Sequence, residues 1–370
     1  HGKIFKTSLF GFPTIISLDP EFNKHALLCA NLVPGYPECT FDMLGEWSLV
    51  CRNDDMHDRM RGWILSYIQS NLDGHLLRMT DNVTSFCLEN LDGKVVFLQQ
   101  KLQQITMYNM LAMIVSLEEG PLLHEISQEF DIHTDGLFCL KFNIPFSAYR
   151  NGLKAREKLI NLLGGIIEER RRLIQHRDLH NDLLSWVINA QLDGHIKMQL
   201  TNEQVIDFLL AAVTGGYQTT FGTILMGMKF IFHYPKVLAE LRSEHLAINA
   251  KKIEKNQEGL SWEDYNSMTF TSKVIFEIMR LASTVPGIFR KSIGDAKIQG
   301  YNIPKNWRLL LYLKASNDDE NSYKDSFMFN PWRQESSDFL PFGGGRRMCP
   351  GRKFALLEVA IFFHHLVTRY

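Results

Sequence analysis

The stretch 341–352, PFGGGRRMCPGR, constrains the fold of this chain more than any other. Its three consecutive glycines, Gly343 to Gly345, predict a tight loop, because glycine adopts backbone conformations that are strained for residues with a Cβ. The residues that follow, FALLEVAIFFHHLV, are apolar on nearly every side, which is typical of a helix in the core of a large protein. The sequence therefore predicts that Cys349 lies between a glycine loop and the start of a buried helix.

Cys349 is a candidate metal ligand at this position. The unpaired N–H groups and the positive dipole end of a helix N-terminus favour a thiolate over a thiol, and Arg347 adds a cation nearby. The alternative is a buried structural cysteine, which is the commoner fate of a single Cys.

The spacing Phe342-x-x-Gly345-x-Arg347-x-Cys349-x-Gly351 resembles, at every defining position, the haem-binding loop of the cytochrome P450 family. The resemblance implies haem b as cofactor, with Cys349 as the axial thiolate on iron. It also implies that Arg347 faces a haem propionate, that Phe342 packs beside the porphyrin, and that Gly345 and Gly351 let backbone approach the thiolate. The implied fold is that of the family, mainly α with small β-sheets (α+β).

A second motif lies within a long predicted helix. Thr201 and Gln204 form a capping box, and helical character persists to about His233, where Pro235 ends it. The middle reads AAVTGGYQTT, and each glycine in a helix costs about 1 kcal/mol relative to alanine. A helix tolerates this cost where it kinks or where a ligand approaches its backbone.

This motif is similar to the family's oxygen-binding helix, which carries a small residue, Gly, any residue, an acid and Thr. The resemblance implies catalytic roles for Gly216, Gln218 and Thr219, with Gln218 in place of the acid. Because an amide cannot ionise, Gln218 cannot relay a proton as a carboxylate can, and we expect a monooxygenase with this residue to be poorly coupled to NADPH consumption. The alternative is that the glycines merely permit close helix packing.

Three further residues are implied to bind haem. His57 and Arg61 are four residues apart and share one face of a predicted helix. In the family a tryptophan and an arginine at this spacing reach a propionate, and His57 stands where the tryptophan is usual. Arg290, in STVPGIFRKS, is a possible second propionate partner. The alternative for the first two is an exposed His/Arg pair.

Glu277 and Arg280, three residues apart, would be an ordinary surface ion pair in most proteins. The family places such a pair between the oxygen-binding helix and an arginine in a motif like FNPWR, here Arg333. The resemblance implies that the three form a buried structural network that fixes the loop around Cys349.

The 370 residues, 45% hydrophobic, can bury a large core, and 40 Lys plus Arg against 41 Asp plus Glu give no indication of a nucleic-acid partner. We predict a single P450 domain over 1–370, with a β-rich part at about 1–35 and a helical haem part at about 36–370. Because the chain begins with His1 and ends at Tyr370 within a predicted helix, we expect it to lack an N-terminal membrane anchor and a C-terminal segment.

Other local patterns predict individual elements. They are a β-hairpin followed by a helix near Asp19, a long loop over LVPGYPECTFDMLGEW, a turn at 90–93 leading into a strand at VVFL, an apolar loop over 131–150, a helix over 151–177, and two short strands in YNIPKNWRLLLYL.

Several strings, among them LVPGYP, PKVLAELRSEH and IPKNW, look most like the plant brassinosteroid 6-oxidases. The resemblance implies a monooxygenase that oxidises a small hydrophobic substrate, steroid-like (a brassinosteroid precursor) or terpenoid. It would use O2 and electrons that NADPH–cytochrome P450 reductase delivers, at the cytosolic face of the endoplasmic reticulum membrane. The alternatives are a haem-thiolate isomerase or lyase acting on fatty-acid hydroperoxides, and a non-catalytic or degenerate haem protein.

Overall fold

The first residues form the predicted hairpin and helix. In the computed structural model, which describes residues 2–89, 91, 93–175, 180–192, 200–334, 336 and 338–370, β1 (Ile4–Leu9) pairs antiparallel with β2 (Phe12–Ser17). Asp19 then caps α1 (Pro20–Leu28), because its Oδ1 accepts a hydrogen bond from the Phe22 N–H at 2.8 Å. Both predictions are confirmed.

The hairpin belongs to a five-stranded sheet completed by distant strands. The sheet also contains β3 (Leu32–Pro34), β4 (Gly287–Ser292) and β7 (Arg308–Tyr312), in the order β1-β2-β7-β4-β3. β2 and β7 run parallel, whereas β4 is antiparallel to both β7 and β3. The remaining strands, β5 (Ala296–Ile298) and β6 (Tyr301–Ile303), form a separate pair. The two strands predicted in YNIPKNWRLLLYL are present as β6 and β7.

Most of the molecule is helical, and its long central helix is α9 (Asn202–His233). The predicted capping box is formed: Thr201 Oγ1 accepts from the Gln204 N–H at 3.3 Å, and Gln204 Oε1 accepts from the Thr201 N–H at 3.0 Å. The other helices are α2 (Glu38–Leu44), α3 (Asp55–Asn71), α4 (Leu77–Cys87), α5 (Leu98–Val115), α6 (Pro121–Asp135), α7 (Ala148–Gln175), α8 (Leu183–Leu192), α10 (Pro235–Glu254), α11 (Trp262–Ser267), α12 (Thr269–Ala282), α13 (Lys314–Asn317) and α14 (Arg352–Arg369), with a π-helical turn at Leu72–Leu76 and a 3-10 turn at Gly345–Arg347.

Close packing joins α9 to the helix that follows the cysteine. A Cβ at Gly227 of α9 would lie 2.6 Å from Cζ of Phe363 in α14 and 2.8 Å from Cδ1 of Ile278 in α12. Gly227 therefore lets three helices meet at one point of the main apolar core. This contact fixes α14, and with it the residues that precede its first turn.

The structure corrects three of the local predictions. The predicted loop over LVPGYPECTFDMLGEW contains β3 and α2, and VVFL is not a strand, because residues 94–97 have no regular structure and the Val95 side chain is fully exposed. The apolar loop is shorter than predicted, since α6 continues to Asp135 and α7 already begins at Ala148. Pro235 follows the end of α9, as predicted, and it also begins α10. The predicted helix end at Arg177, and Asn90 and Asp92 of the predicted turn, lie outside the described residues.

Within the described ranges, no helix combines the length and the apolar character needed to span a bilayer.

Candidate active site

Cys349 lies between the 3-10 turn and α14, in a loop held by its own backbone. The Cys349 N–H donates to Phe342 O at 3.0 Å. Gly343 and Gly345 have positive φ angles, and a Cβ at Gly345 would lie 2.6 Å from Leu27 O of α1. The loop thus requires glycine at Gly345 both for its conformation and for its contact with α1.

The electrostatics of Cys349 differ from the expectation. Burial raises the pKa of the thiol above its ordinary value and outweighs the hydrogen bonds from the backbone N–H groups of Gly351 and Arg352, which lower it. The cation that also lowers this pKa is Arg61 rather than the predicted Arg347. The protein's own groups therefore favour the thiol, whereas a bound metal ion would favour the thiolate.

A cavity of about 150 Å³ adjoins this loop. Met348 and Pro350, on either side of the cysteine, form part of its wall. Three predicted haem-binding cations, Arg61, Arg290 and Arg347, line the same space. The fold thus brings Arg61 against Met348, which is 287 positions away in the chain.

Arg290 is buried and Arg347 half-buried, and within the described part of the chain neither forms an ion pair with a carboxylate. Arg347 donates to Asn53 Oδ1 at 3.0 Å and to backbone oxygens, and Arg290 donates to Phe289 O at 3.0 Å. Burial lowers the pKa of both guanidinium groups, that of Arg347 to about 10, to which the charge of Arg290 contributes. An anionic ligand in the cavity would stabilise both of these neighbouring cations.

His57 and Arg61 both reach the cavity from α3. Arg61 Nε donates to Met348 O at 3.0 Å and so contacts the cysteine loop directly. His57 is 2% exposed, with Nδ1 3.1 Å from Asp58 Oδ1, so the alternative of an exposed pair is wrong for this residue. Burial also lowers the pKa of His57, which keeps its ring neutral at physiological pH.

Tyr36 borders the same cavity and was not predicted as a site residue. Burial raises the pKa of its phenol, whereas Arg290 and Arg347 lower it. The sequence signal was the aromatic, turn-rich stretch LVPGYP, because long loops in compact domains tend to bind ligands. That signal marks a segment and could not single out one side chain.

These residues fit a haem. In the ranges the structure describes, no group of three or more His, Cys, Asp and Glu side chains could hold a metal ion, so iron at Cys349 would have to arrive with other ligands, as it does in a porphyrin. Arg290 and Arg347 match the two propionate carboxylates in charge. Arg61 and His57 lie where they could bind the same groups.

Glu277, Arg280 and Arg333 form one buried network. Arg280 donates from Nε and Nη2 to the two carboxylate oxygens of Glu277, both at 2.8 Å, and Arg333 Nε donates to Glu277 Oε1 at 2.9 Å. Arg280 Nη1 also donates to Asn317 O and Ser326 O, both at 2.6 Å. The network therefore ties α12 to the segment that leads into the cysteine loop.

The glycines of α9 divide into a packed side and an open side. A Cβ at Gly216 would overlap the Met110 side chain of α5, so the close-packing alternative describes this residue. Gly215 is exposed within the helix, and Thr219 Oγ1 donates to Gly215 O at 2.9 Å. One turn further on, a Cβ at Gly222 would lie 2.8 Å from Thr284 Cγ2, just before the strand that carries Arg290. Gly215 and Thr219 thus mark the accessible side of the helix.

Gln218 is turned toward α6. Its Nε2 donates to Tyr217 Oη at 2.5 Å and to Thr134 Oγ1 at 3.3 Å. Its hydrogen bonds therefore lead to a neighbouring helix, which the motif alone did not indicate.

Comparison with known proteins agrees with this geometry. Residues 72–370 match the sequence profile described as Cytochrome P450. Among curated proteins, "Cytochrome P450 85A1" of Solanum lycopersicum is 37% identical, and that of Arabidopsis thaliana is 34% identical; each alignment covers 100% of this chain and 80% of the relative. A cholesterol 16,22-dihydroxylase of Trigonella foenum-graecum is 33% identical, over 100% of this chain and 79% of the relative.

Solved structures share the fold. A retinoic acid-bound cyanobacterial CYP120A1 superimposes with a TM-score of 0.86 at 24% identity, covering 99% of this chain and 84% of that one. P450BioI in complex with an acyl carrier protein superimposes with a TM-score of 0.80 at 17% identity, covering 100% and 88%. The predicted fold class is confirmed.

Proposed function

We propose, since this chain belongs to the cytochrome P450 family and is a haem-thiolate monooxygenase, that its substrate is a steroid of the brassinosteroid-precursor class. The observation that carries the proposal is similarity along the whole chain to the Cytochrome P450 85A1 proteins, at 34 to 37% identity. The 33% identity to a cholesterol dihydroxylase supports a fused-ring substrate rather than a linear one.

The residues of the site take distinct parts in this reaction. Haem bound at Cys349 supplies the oxidising chemistry. Arg61, Arg290 and Arg347 would bind its propionates, and the N–H groups at the start of α14 would help to stabilise the thiolate once iron is bound. The Thr219 hydroxyl, on the accessible side of α9, donates to Gly215 O in the structure and would turn from that oxygen to donate its hydrogen bond toward the oxygen substrate.

The electrons come from NADPH through cytochrome P450 reductase, and the enzyme acts at the cytosolic face of the endoplasmic reticulum membrane. Both assignments rest on the family. The reductase requirement also separates this function from that of an isomerase or lyase, which rearranges a hydroperoxide without added electrons.

The test is incubation of a full-length form with reductase, NADPH and a panel of brassinosteroid precursors, other steroids, triterpenes and fatty-acid hydroperoxides. We expect a steroid product heavier by one oxygen atom, formed only with NADPH. Oxidation of a triterpene alone would assign the substrate to the triterpenes and not to the steroids. Hydroperoxide turnover without NADPH would show that the protein is an isomerase or lyase. A haem-to-protein ratio near zero would indicate a degenerate protein.

A further inference from the structure

Two cysteines meet where the start of α2 packs against the end of α6. Cys39, in the first turn of α2, donates from Sγ to Cys139 O at 3.2 Å and to Leu137 O at 3.3 Å. Cys139 Sγ donates to Gly136 O at 3.2 Å. Two free thiols that are 100 positions apart in the chain therefore lie against the same short stretch of backbone.

The two thiols also interact with each other. Burial raises the pKa of the Cys139 thiol above its ordinary value, and the charge and hydrogen bond of the neighbouring Cys39 thiol raise it further. Thr40 Oγ1 donates to Leu137 O at 2.5 Å, so this carbonyl keeps a donor when the Cys39 thiol turns away from it. The pair thus meets the first requirement for a disulfide, which is that the sulfur atoms are neighbours.

Access to solvent differs between the two thiols. Cys39 is 1% exposed, whereas Cys139 is half-buried and lies between the exposed side chains of Phe138 and Leu140. A dissolved oxidant therefore reaches Cys139 first. Cys39, held behind it, is placed as the resolving thiol.

The segments that carry this pair border the cavity beside the Cys349 loop. Tyr36, three residues before Cys39, lines that cavity. Its ring meets the Phe138 ring edge-on, with 6.3 Å between the ring centroids. A covalent bond between Cys39 and Cys139 would therefore fix the part of the cavity wall that Tyr36 forms.

We propose that Cys39 and Cys139 form a reversible disulfide in response to hydrogen peroxide, and that this bond fixes α2 to the connection between α6 and α7. The Cys139 thiolate attacks one peroxide oxygen, which breaks the O–O bond, forms a sulfenic acid and releases hydroxide. The Cys39 sulfur then attacks the Cys139 sulfur, the S–S bond forms, and the sulfenic oxygen leaves as water. In total the two thiols lose two hydrogen atoms, and one peroxide is reduced to two molecules of water.

The source of the peroxide rests on the monooxygenase function, because uncoupled turnover releases it. We expect such release here, since Gln218 stands where the family motif has an acid. The raised pKa keeps most of the Cys139 thiol protonated at neutral pH, so the pair reacts slowly and responds to sustained release. Glutathione-class thiols can reverse the bond in a reducing compartment.

The first test adds hydrogen peroxide to the dilute holoenzyme and then blocks the remaining thiols with N-ethylmaleimide. Peptide mapping should show a Cys39–Cys139 pair that is lighter by two hydrogen atoms and is split by dithiothreitol. Cys39→Ser should lose this pair and instead let dimedone trap a sulfenic acid at Cys139. Cys29→Ser, at another half-buried cysteine, is the matched control and should keep the pair. Retention of both thiols, or a bond from Cys139 to Cys51, would overturn the proposal.

The second test measures whether the bond fixes the two segments. Amide hydrogen exchange of residues 36–46 and 137–147 should slow after peroxide treatment and recover with dithiothreitol. The same treatment of Cys39→Ser should leave exchange there unchanged, which separates the disulfide from other oxidation. Unchanged exchange in wild-type protein that carries the linked pair would contradict the second half of the proposal. Added peroxide replaces turnover in both tests, so their results stand apart from the monooxygenase and substrate assignments.

Discussion

Cys349 is the residue that we propose as the ligand of haem iron. The loop aims two backbone N–H groups and the Arg61 charge at a sulfur whose pKa burial raises. We predict that Cys349→Ala abolishes the red-shifted Soret band of the ferrous carbonyl form, because a thiolate ligand produces that shift. Arg61, Arg290 and Arg347, the proposed propionate partners, remain in this variant, so retention of some haem is compatible with the prediction. Persistence of the shifted band would show that another residue is the ligand.

Glu358 of α14 carries a buried carboxyl nine residues after the cysteine. Asn109 Nδ2 donates to its Oε1 at 3.1 Å, whereas Glu358 Oε2 and Asn109 Oδ1 have no partner among the described residues. Burial raises the pKa of Glu358 from 4.5 to about 8. The native state therefore holds a proton that the unfolded state releases above pH 4.5.

The sign of the resulting pH dependence follows from linkage. The free energy of unfolding should fall as pH rises from about 4.5 to about 8 and then level off. Glu358→Gln, which keeps the shape and needs no proton, should remove this slope and stabilise the protein by about 2 to 4 kcal/mol at pH 8, since one pKa unit corresponds to about 1.36 kcal/mol. Urea titrations at several pH values would measure the effect, with the exposed Glu157→Gln as control. A slope retained in Glu358→Gln would assign it to another group.

The network of Glu277, Arg280 and Arg333 ties α12 to the segment that leads into the cysteine loop. Arg280 is 1% exposed and binds Glu277 together with carbonyl groups of residues 317 and 326. Its removal leaves the buried Glu277 carboxylate with Arg333 as its remaining cationic partner and takes the donor from Asn317 O and Ser326 O, at a cost of about 3 to 5 kcal/mol. Arg280→Ala should therefore lose most folded, haem-loaded protein and leave the product of the remaining fraction unchanged.

A matched substitution is available on the same helix. Lys273 is exposed, and Lys273→Ala should leave haem content unchanged. Replacing Glu277, Arg280 and Arg333 together by Gln, Met and Gln should be less damaging than Arg280→Ala, since the three charges of the network are removed together. Normal haem content with a different product in Arg280→Ala would mean that the network shapes the substrate pocket instead.

The surface around the start of α14 carries exposed cations, Arg346, Arg352 and Lys353, with Arg59 on α3. We predict that the reductase docks on this cationic cluster. The Arg346 charge is largely neutralised, because its Nε and Nη2 each lie 2.8 Å from an Asp58 oxygen. Arg352, Lys353 and Arg59 should therefore dominate the steering of an acidic partner.

Electron-transfer rates should accordingly fall with ionic strength, because salt screens charges beyond about 10 Å at 0.1 M. Arg352→Gln with Lys353→Gln should slow the reaction at low salt and flatten its salt dependence. Lys236→Gln with Arg242→Gln on α10, the same change in charge outside the cluster, is the control. A rate independent of salt in the wild type would exclude this mode of docking.

Features that are encoded within a few neighbouring residues could be predicted from the sequence, whereas features that depend on contacts between distant segments could not. The Cys349 loop, the Thr201 cap and the first hairpin are encoded within a few residues, and the structure contains all three. The strand predicted at VVFL is absent, because an apolar composition does not show whether a partner strand exists. The thiol state of Cys349 and the contact of Gln218 with α6 could not be predicted, because burial and contacts between distant helices are properties of the assembled core.

The parallel pairing of β2 with β7 has a consequence for biosynthesis. Thr14 lies opposite Arg308, a separation of 308 − 14 = 294 residues. At about 5 to 20 residues per second, a ribosome needs roughly 15 to 60 s to make the second strand after the first. Throughout that interval the hydrogen-bonding edge of β2 awaits its partner and is open to pairing with other chains. Because Leu27 O of α1, next to β2, backs the cysteine loop at Gly345, we expect cofactor capture to follow this late closure.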